Sequence, residues 1–314
     1  MSRCLYCYEL LNKGETDFHS GCCRKIFGQS MPPELQYTET ELKELGLKVV
    51  QSQVTVTGVQ PKLSLHLDKP KSKGNPKRFT IVGLWGEYIL KPPTSAYPQL
   101  PQVESLTMHL ANLAGIAVVP YTLIRMQGGS LAYLTRRVDR AKQHKIHMED
   151  MCQLTERLTE DKYHGSYEQV GKAILRFSAN PVLDLVNFAE VLIFSFLTGN
   201  ADMHLKNFSL LHRQGVGPVL CPAYDLVSTV LVNPDDDEDL ALTLNGKKKK
   251  LKRNDFVRFF STLNLDEKQQ LNIFRKMDKA RAKWMDFIDM SFLSNENKIA
   301  YKELIADRFL RLEQ

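Results

Sequence analysis

Apolar and polar positions alternate in the first half of the chain and recur at helical spacing in the second. Lys62–Leu67 alternates polar with apolar residues, and Phe79–Val82 and Glu87–Lys91 are short apolar runs. These read as strands, the last of them stopped by Pro92-Pro93. Asp68–Arg78, rich in Lys, Pro and Gly, reads as the turn between the first two. Over Pro101–Ala114 the apolar residues Val103, Leu106, Leu110 and Leu113 share one helical face, and Gly115 ends it. Val118–Met126 and Leu131–Leu134 read as strands around a Gln127-Gly128-Gly129 turn. After Arg140 the pattern becomes helical. The clearest helix has Asn180 as its N-cap, Pro181 at its first position and Gly199 just past its end near Leu197. Its apolar residues lie nearly all round, which predicts a central, buried helix. The last 60 or so residues read as amphipathic helices.

A strand-rich half followed by a helical half predicts an α+β fold of two lobes with a cleft between them. The length of 314 residues suits about two domains. The composition shifts divide the chain into a cysteine-rich segment over 1–30, a linker over 31–45, a strand-rich N-lobe over 46–140 and a helical C-lobe over 141–314. Hydrophobic residues at 43% and charged residues at 25% exclude a disordered or fibrous chain. No apolar run approaches the roughly 20 residues that span a bilayer, and the N-terminus lacks the apolar core of a secretory signal. The expectation is a cytoplasmic protein with no membrane partner. A net charge of +6 permits contact with nucleic acid or an acidic protein and demands neither. The acidic run Asp235–Asp239 and the basic run Lys247–Lys250, continued by Lys252 and Arg253, read as two solvated loop faces.

Several nucleotide and hydrolase signatures are absent. There is no G-x-G-x-x-G and no G-x-S-x-G. Gly165–Lys172 has one residue too many for a Walker A loop and lacks the Ser or Thr that holds magnesium. The informative segment is Gly199–Ser209, which follows the buried helix. Asp202 and Asn207 are five residues apart, the spacing of a protein-kinase catalytic loop. There the Asp orients the attacking hydroxyl and the Asn holds Mg²⁺. Lys206 can neutralise phosphate, and His204 can brace the loop by hydrogen bonds. Phe208–His212 and Pro218–Cys221 read as a hairpin. Centred on Val216, it brings Asn207 and Asp225 to one end of its ladder, an oxygen-rich pair suited to Mg²⁺; Mn²⁺ suits the same oxygens. Lys91 ends a strand, where a lysine can reach the phosphates of ATP. Glu104, the acidic residue of the following helix, is its candidate partner.

Thr57-Gly58-Val59-Gln60-Pro61-Lys62, Tyr88-Ile89-Leu90-Lys91-Pro92, Thr135-Arg136-Arg137-Val138-Asp139-Arg140, Asp202–Ser209 and Tyr224-Asp225 fall in order over about residues 50–250. Together they resemble the HipA-like serine/threonine kinase toxins. The resemblance implies a two-lobed kinase fold related to phosphatidylinositol kinases, using ATP and Mg²⁺. It implies Asp202 as catalytic base and Asn207 and Asp225 as Mg²⁺ ligands. Lys91 then binds phosphates, Gly58, Gln60 and Lys62 belong to the nucleotide loop, and backbone around Arg136 and Val138 meets the adenine. Such kinases phosphorylate an aminoacyl-tRNA synthetase to arrest growth. They are held in check by a HipB-like helix-turn-helix antitoxin, through which alone they engage DNA. The family autophosphorylates a serine just before the glycine loop, where this chain has Thr55 and Thr57. Many members carry a further N-terminal subdomain. In three-gene systems of the HipBST type a small HipS-like protein takes its place, and this chain resembles that compact kind. Two other readings fit the same residues: a non-enzymatic subunit that binds DNA or a partner, and a small-molecule or lipid kinase.

Four of the six cysteines fall in the first 23 residues. In a reducing compartment such clustering points to metal before disulfides. Cys4 and Cys7, then His19 and Cys22, give two knuckles of ligands for structural Zn²⁺ in a zinc-ribbon-like segment. Cys23 can replace Cys22, and a metal-free cysteine-rich tail is the alternative.

Overall fold

The computed structural model describes residues 2–42, 44–45, 60–68, 76–83, 85–141 and 144–314. The chain divides into two compact units. The first comprises Met1–Ser105, Val119–Arg137 and Met290–Phe292; the second comprises Leu106–Val118, Val138–Asp289 and Leu293–Gln314.

The first unit is built on a five-stranded antiparallel sheet. Its strands are β1 (Leu63–Asp68), β2 (Arg78–Val82), β3 (Tyr88–Lys91), β4 (Tyr121–Arg125) and β5 (Leu131–Arg136), in the order β2-β1-β3-β5-β4. Each lies within a few residues of its sequence expectation. In β1 the period of two is plain, because Leu63, Leu65 and Leu67 are buried and Ser64, His66 and Asp68 are not. The cysteine-rich segment belongs to this unit. Helix α1 (Ser20–Phe27) sets Phe27 edge-on to Phe79, and Tyr88 donates its hydroxyl proton to the Ile26 carbonyl at 3.1 Å. The Leu5 carbonyl accepts from the Leu123 N–H at 3.3 Å. Helix α2 (Leu100–Leu113) gives its first residues to this unit and the rest to the second.

The second unit carries two short strands, β6 (Arg140–Ala141) and β7 (His144–Lys145), and then a three-stranded sheet. That sheet holds β8 (Met148–Asp150), β9 (Ser209–Arg213) and β10 (Gly217–Leu220) in the order β10-β9-β8. Its helices are α3 (Met151–Leu154), α4 (Tyr167–Phe177), α5 (Pro181–Leu197), α6 (Thr229–Val232), α7 (Arg253–Thr262), α8 (Glu267–Met290) and α9 (Asn295–Glu313). Gly165-Ser166 proves to be the entry to α4, where Ser166 and Gln169 form a capping box. Helix α5 begins where expected, but the Asn180 side chain makes no capping bond. Ser178 acts instead: its hydroxyl accepts from the Asn180 N–H and donates to Asp184. Asp184 also accepts from the Leu220 N–H at 2.7 Å, which fixes the end of β10. From Leu185 onward α5 is almost wholly buried, as its pattern predicts. Trp284 stacks edge-on against Phe194 and donates its indole proton to the Leu110 carbonyl at 2.8 Å.

Apart from Asp239, the charge runs are largely exposed, as expected of solvated loops. They pair with each other and with α7: Lys248 with Glu238, Lys249 with Asp237, and Lys247 with Asp255. Exposed ion pairs of this kind are screened by solvent and add little to stability. Asp239 differs because it is buried. It accepts from Arg308, from Arg311 and, at 2.9 Å, from the Leu251 N–H. Burial pushes its carboxyl up, but the bonds from Arg311 and Leu251 and the charge of Arg308 outweigh it and hold the carboxyl below its usual range. A depressed carboxyl stabilises the fold above the ordinary carboxylate range and loses that contribution as pH falls through the lowered value. Asp239→Ala is therefore expected to cost about 3–5 kcal/mol at neutral pH. Urea unfolding checks this, and the gap to wild type should narrow as the pH is lowered below about 4.

Candidate active site

From Val191 to Leu210 every residue is buried except Asp202 and Lys206. A buried loop must bond its own backbone groups, and the one between α5 and β9 does so. The Gly199 carbonyl accepts from the Val230 N–H at 3.1 Å and the Thr229 hydroxyl at 3.2 Å. The Ala201 N–H donates to Thr229 Oγ1 at 2.8 Å, the Asp202 N–H to Asn200 Oδ1 at 3.1 Å, and the Leu205 N–H to the Lys162 carbonyl at 3.1 Å. Tyr167 donates to the Met203 carbonyl at 3.1 Å. Asn207 closes the loop, its Nδ2 donating to the Asp202 carbonyl at 2.8 Å. That use of the nitrogen leaves Oδ1 as the amide atom for a cation. Gly199 starts the loop at φ +64°, and a Cβ there would lie 2.8 Å from Leu304 Cδ2. A side chain there would be strained by the positive φ and would press on Leu304 and Val230.

Asp202 is the acid this scaffold presents. Tyr163 donates its hydroxyl proton to Asp202 Oδ1 at 2.5 Å. Burial first, and the Asp202 charge second, push the Tyr163 phenol up, so it stays a donor. His204 is buried, with Nε2 4.0 Å from the same oxygen and its ring edge-on to Tyr163 at 4.9 Å. Lys206 Nζ reaches Asp150 Oδ2 at 2.7 Å. The hairpin follows, but its register pairs Gly217 with Arg213 and centres it on Gly215 rather than Val216. Asn207 thus stands opposite position 223, and Asp225 lies two residues further on. Tyr224 bridges the gap: it donates to the Lys206 carbonyl at 3.0 Å and accepts from the Ser209 hydroxyl at 2.5 Å. Asp225 follows at φ +54°, a left-handed conformation costly for a residue with a Cβ.

In the first unit, β3 and α2 bring together the expected Lys91–Glu104 pair. Lys91 Nζ lies 2.5 Å from Glu104 Oε1, and the two residues are 4% and 2% exposed. Tyr133, opposite Lys91 on β5, holds its ring 5.4 Å from the ammonium. Gln60 donates to the Pro92 carbonyl at 2.9 Å, one residue past Lys91. Lys62 and Arg136 are exposed and Val138 is half-buried. Gly58, Thr55 and Thr57 lie outside the described residues.

The chain matches the model of the HipA-like C-terminal domain over residues 54–284. It belongs to the HipA-like family. Y4dM of Sinorhizobium fredii, a provisionally named kinase, is 30% identical over 82% of this chain and 64% of its own length. A serine/threonine-protein kinase toxin, HipA of Shewanella oneidensis, is 28% identical over 62% of this chain and 47% of its own. The chain thus spans less than two thirds of either relative. The solved complex of HipA, HipB and operator DNA from Shewanella oneidensis MR-1 contains a chain of the same fold. It superposes with a TM-score of 0.70 at 21% identity, over 96% of this chain and 80% of that one. The α+β architecture expected from the strand and helix pattern is therefore that of a HipA-like protein.

The cysteine cluster of this HipA-like chain lies before the matched residues. One ligand atom from each of Cys4, Cys7, His19 and Cys22 falls within 4.8 Å of the others. Cys23 is buried elsewhere in α1 and is not among them, so the choice between neighbours falls on Cys22. His19 Nε2 bonds the Leu10 carbonyl at 2.9 Å, which places the ring proton there. Nδ1 then faces Cys7 Sγ at 3.4 Å and Cys22 Sγ at 3.7 Å with its lone pair. A hydrogen bond from Cys7 holds the Cys4 thiol down at about 4 and pushes Cys7 up. Three sulfurs and one imidazole nitrogen so placed fit tetrahedral zinc.

Tyr163 and Asp150 join the site without any signal in the sequence, whereas Tyr224 lies in the Tyr224-Asp225 motif, which gave it no role. Tyr163 is 39 residues from Asp202, and no spacing rule reaches that far. The Lys91–Glu104 pair yields a direct test. Glu104→Leu leaves a buried ammonium without its carboxylate and is expected to cost about 3–5 kcal/mol in urea unfolding. Lys91→Met together with Glu104→Leu should recover most of that loss, since neither charge of the pair then remains buried.

Proposed function

We propose that the chain is an ATP-dependent serine/threonine protein kinase and the toxin of a type II toxin–antitoxin pair. The observation that carries this reading is Asp202, a half-exposed carboxylate in an otherwise buried loop that Asn207 braces. Asp202 orients the acceptor hydroxyl and takes its proton as the oxygen bonds to the γ-phosphorus and ADP leaves. Tyr163 and His204 position that carboxylate. Lys91, held by Glu104, binds the nucleotide phosphates, with Gln60 beside it and Gly58 and Lys62 in the same loop. Lys206 answers phosphate charge and is kept in place by Asp150. Backbone around Arg136 and Val138 receives the adenine. Asn207 and Asp225 supply oxygen ligands for Mg²⁺, which shields the phosphates when bound. Cys4, Cys7, His19 and Cys22 hold structural Zn²⁺.

The named toxin among its relatives supports the serine/threonine assignment, and the HipA–HipB–DNA complex supports a helix-turn-helix antitoxin partner. A HipS-like small protein is the further partner proposed. The substrate proposed is an aminoacyl-tRNA synthetase, on the family resemblance. Autophosphorylation of Thr55 or Thr57 is the proposed self-regulation, since a phosphate adds about −1.5 to −2 charge beside the nucleotide loop. No helix among the described residues is long and apolar enough to cross a membrane.

The test is the intact mass of wild type and Asp202→Asn before and after Mg-ATP, with an added synthetase followed in the same tubes. Wild type should gain phosphate on Thr55 or Thr57 or transfer it to the synthetase. Asp202→Asn should do neither while remaining folded. Equal phosphorylation in both proteins would overturn the assignment of Asp202.

A further inference from the structure

The sheet β10-β9-β8 presents a second convergence of metal-ligating groups besides the cysteine cluster. The register pairs Met148 with Leu211, so His147 and His212 stand opposite each other at the next position. The His212 N–H donates to the His147 carbonyl at 2.9 Å and locks that alignment. Glu149 is two residues along from His147 and therefore projects from the same side of the strand. The imidazole rings meet edge to face with centroids 4.6 Å apart. Glu149 Oε2 lies 3.0 Å from His147 Nε2 and 3.9 Å from His212 Nε2. One ligand atom from each of the three residues falls within 4.8 Å of the others.

An ordinary surface ion pair needs one base and one carboxylate. Here two imidazole nitrogens converge on one carboxylate oxygen, on adjacent strands whose ladder fixes their separation. Two nitrogens and an oxygen are the donor set of borderline divalent ions such as Zn²⁺ and Ni²⁺, and too soft a set for Mg²⁺ or Ca²⁺. All three side chains are partly exposed, so solvent can fill the remaining coordination positions. We propose that His147, Glu149 and His212 form a binding site for a borderline divalent metal ion of the Zn²⁺ class on the exposed side of this sheet. The bound ion ties β8 to β9. Those strands carry Asp150, which holds Lys206, and Ser209, which bonds Tyr224. The site touches no reacting atom; it is a clamp on the strands that support the loop. Binding a folded-state site stabilises by mass action, so the ion should also raise the melting temperature.

The experiment is equilibrium dialysis of the full, untagged chain against Zn²⁺ alone, with bound zinc counted by elemental analysis. Wild type is compared with His212→Ala and with His147→Ala/His212→Ala. The side chains removed are partly exposed, so unchanged metal-free melting shows that the variants fold. Wild type should bind one equivalent more than either variant, whatever the cysteine cluster holds, because that cluster is intact in all three. The affinity for this equivalent should fall at least about tenfold in His212→Ala, and part of the zinc-dependent rise in melting temperature should go with it. Equal zinc content and equal zinc-dependent melting in all three proteins would overturn the site.

Discussion

A loop buried on all sides cannot leave its peptide groups unpaired, and that constraint shapes the candidate centre of this protein. An unbonded buried N–H or C=O costs about 1–3 kcal/mol. The segment after α5 meets the requirement through Thr229, Tyr167, Asn200 and Asn207 rather than through regular structure. Each bond fixes the course of the chain, and together they leave Asp202 and Lys206 as the side chains still open to solvent between Val191 and Leu210. The loop is held so fully that only Asp202 and Lys206 keep partly exposed side chains, while Asn207 spends its amide nitrogen on closing the loop. Gly199 opens this loop in the left-handed conformation, and Asp225, after the hairpin, adopts it too.

The same economy applies to the buried charges. Lys91 and Glu104 sit in the first unit with almost no exposure, and Asp239 sits in the second under two arginines. Neither pair is bought cheaply, because removing ions from water costs several kcal/mol each. The Asp239 cluster joins the loop after α6 to α9 and explains itself as architecture. Lys91–Glu104 has no comparable reach, since strand β3 and helix α2 are already adjacent in sequence. A fixed ammonium at a strand end is instead the arrangement that phosphate binding asks for.

Much of the fold was legible in the chain because its signals are local. Period-two burial in β1, the Pro181 start of α5 and the apolar face of α2 each lie within one element and depend on no distant residue. The site was legible where its residues cluster, as in Asp202–Asn207 and in Cys4, Cys7, His19 and Cys22. It was illegible where partners come from far away. Nothing near Tyr163 announces that its hydroxyl meets Asp202, and nothing near Asp150 announces Lys206. The hairpin shows the limit of counting: turn symmetry points to Val216, yet the ladder centres on Gly215 and Tyr224 bridges the difference. The pairing of the charge runs is illegible for the same reason, since a run of lysines does not say which acids will face it.

The central proposal is that Asn207 and Asp225 hold the cation of a bound nucleotide while Asp202 serves the acceptor. Titration calorimetry of ATP with and without Mg²⁺ separates these roles most directly. The account predicts that wild type and Asp202→Asn bind Mg-ATP alike, and that Asp225→Asn loses the part of the affinity that depends on Mg²⁺. Absence of ATP binding by the wild type, or an Asp225→Asn variant with undiminished Mg²⁺ dependence, would contradict it.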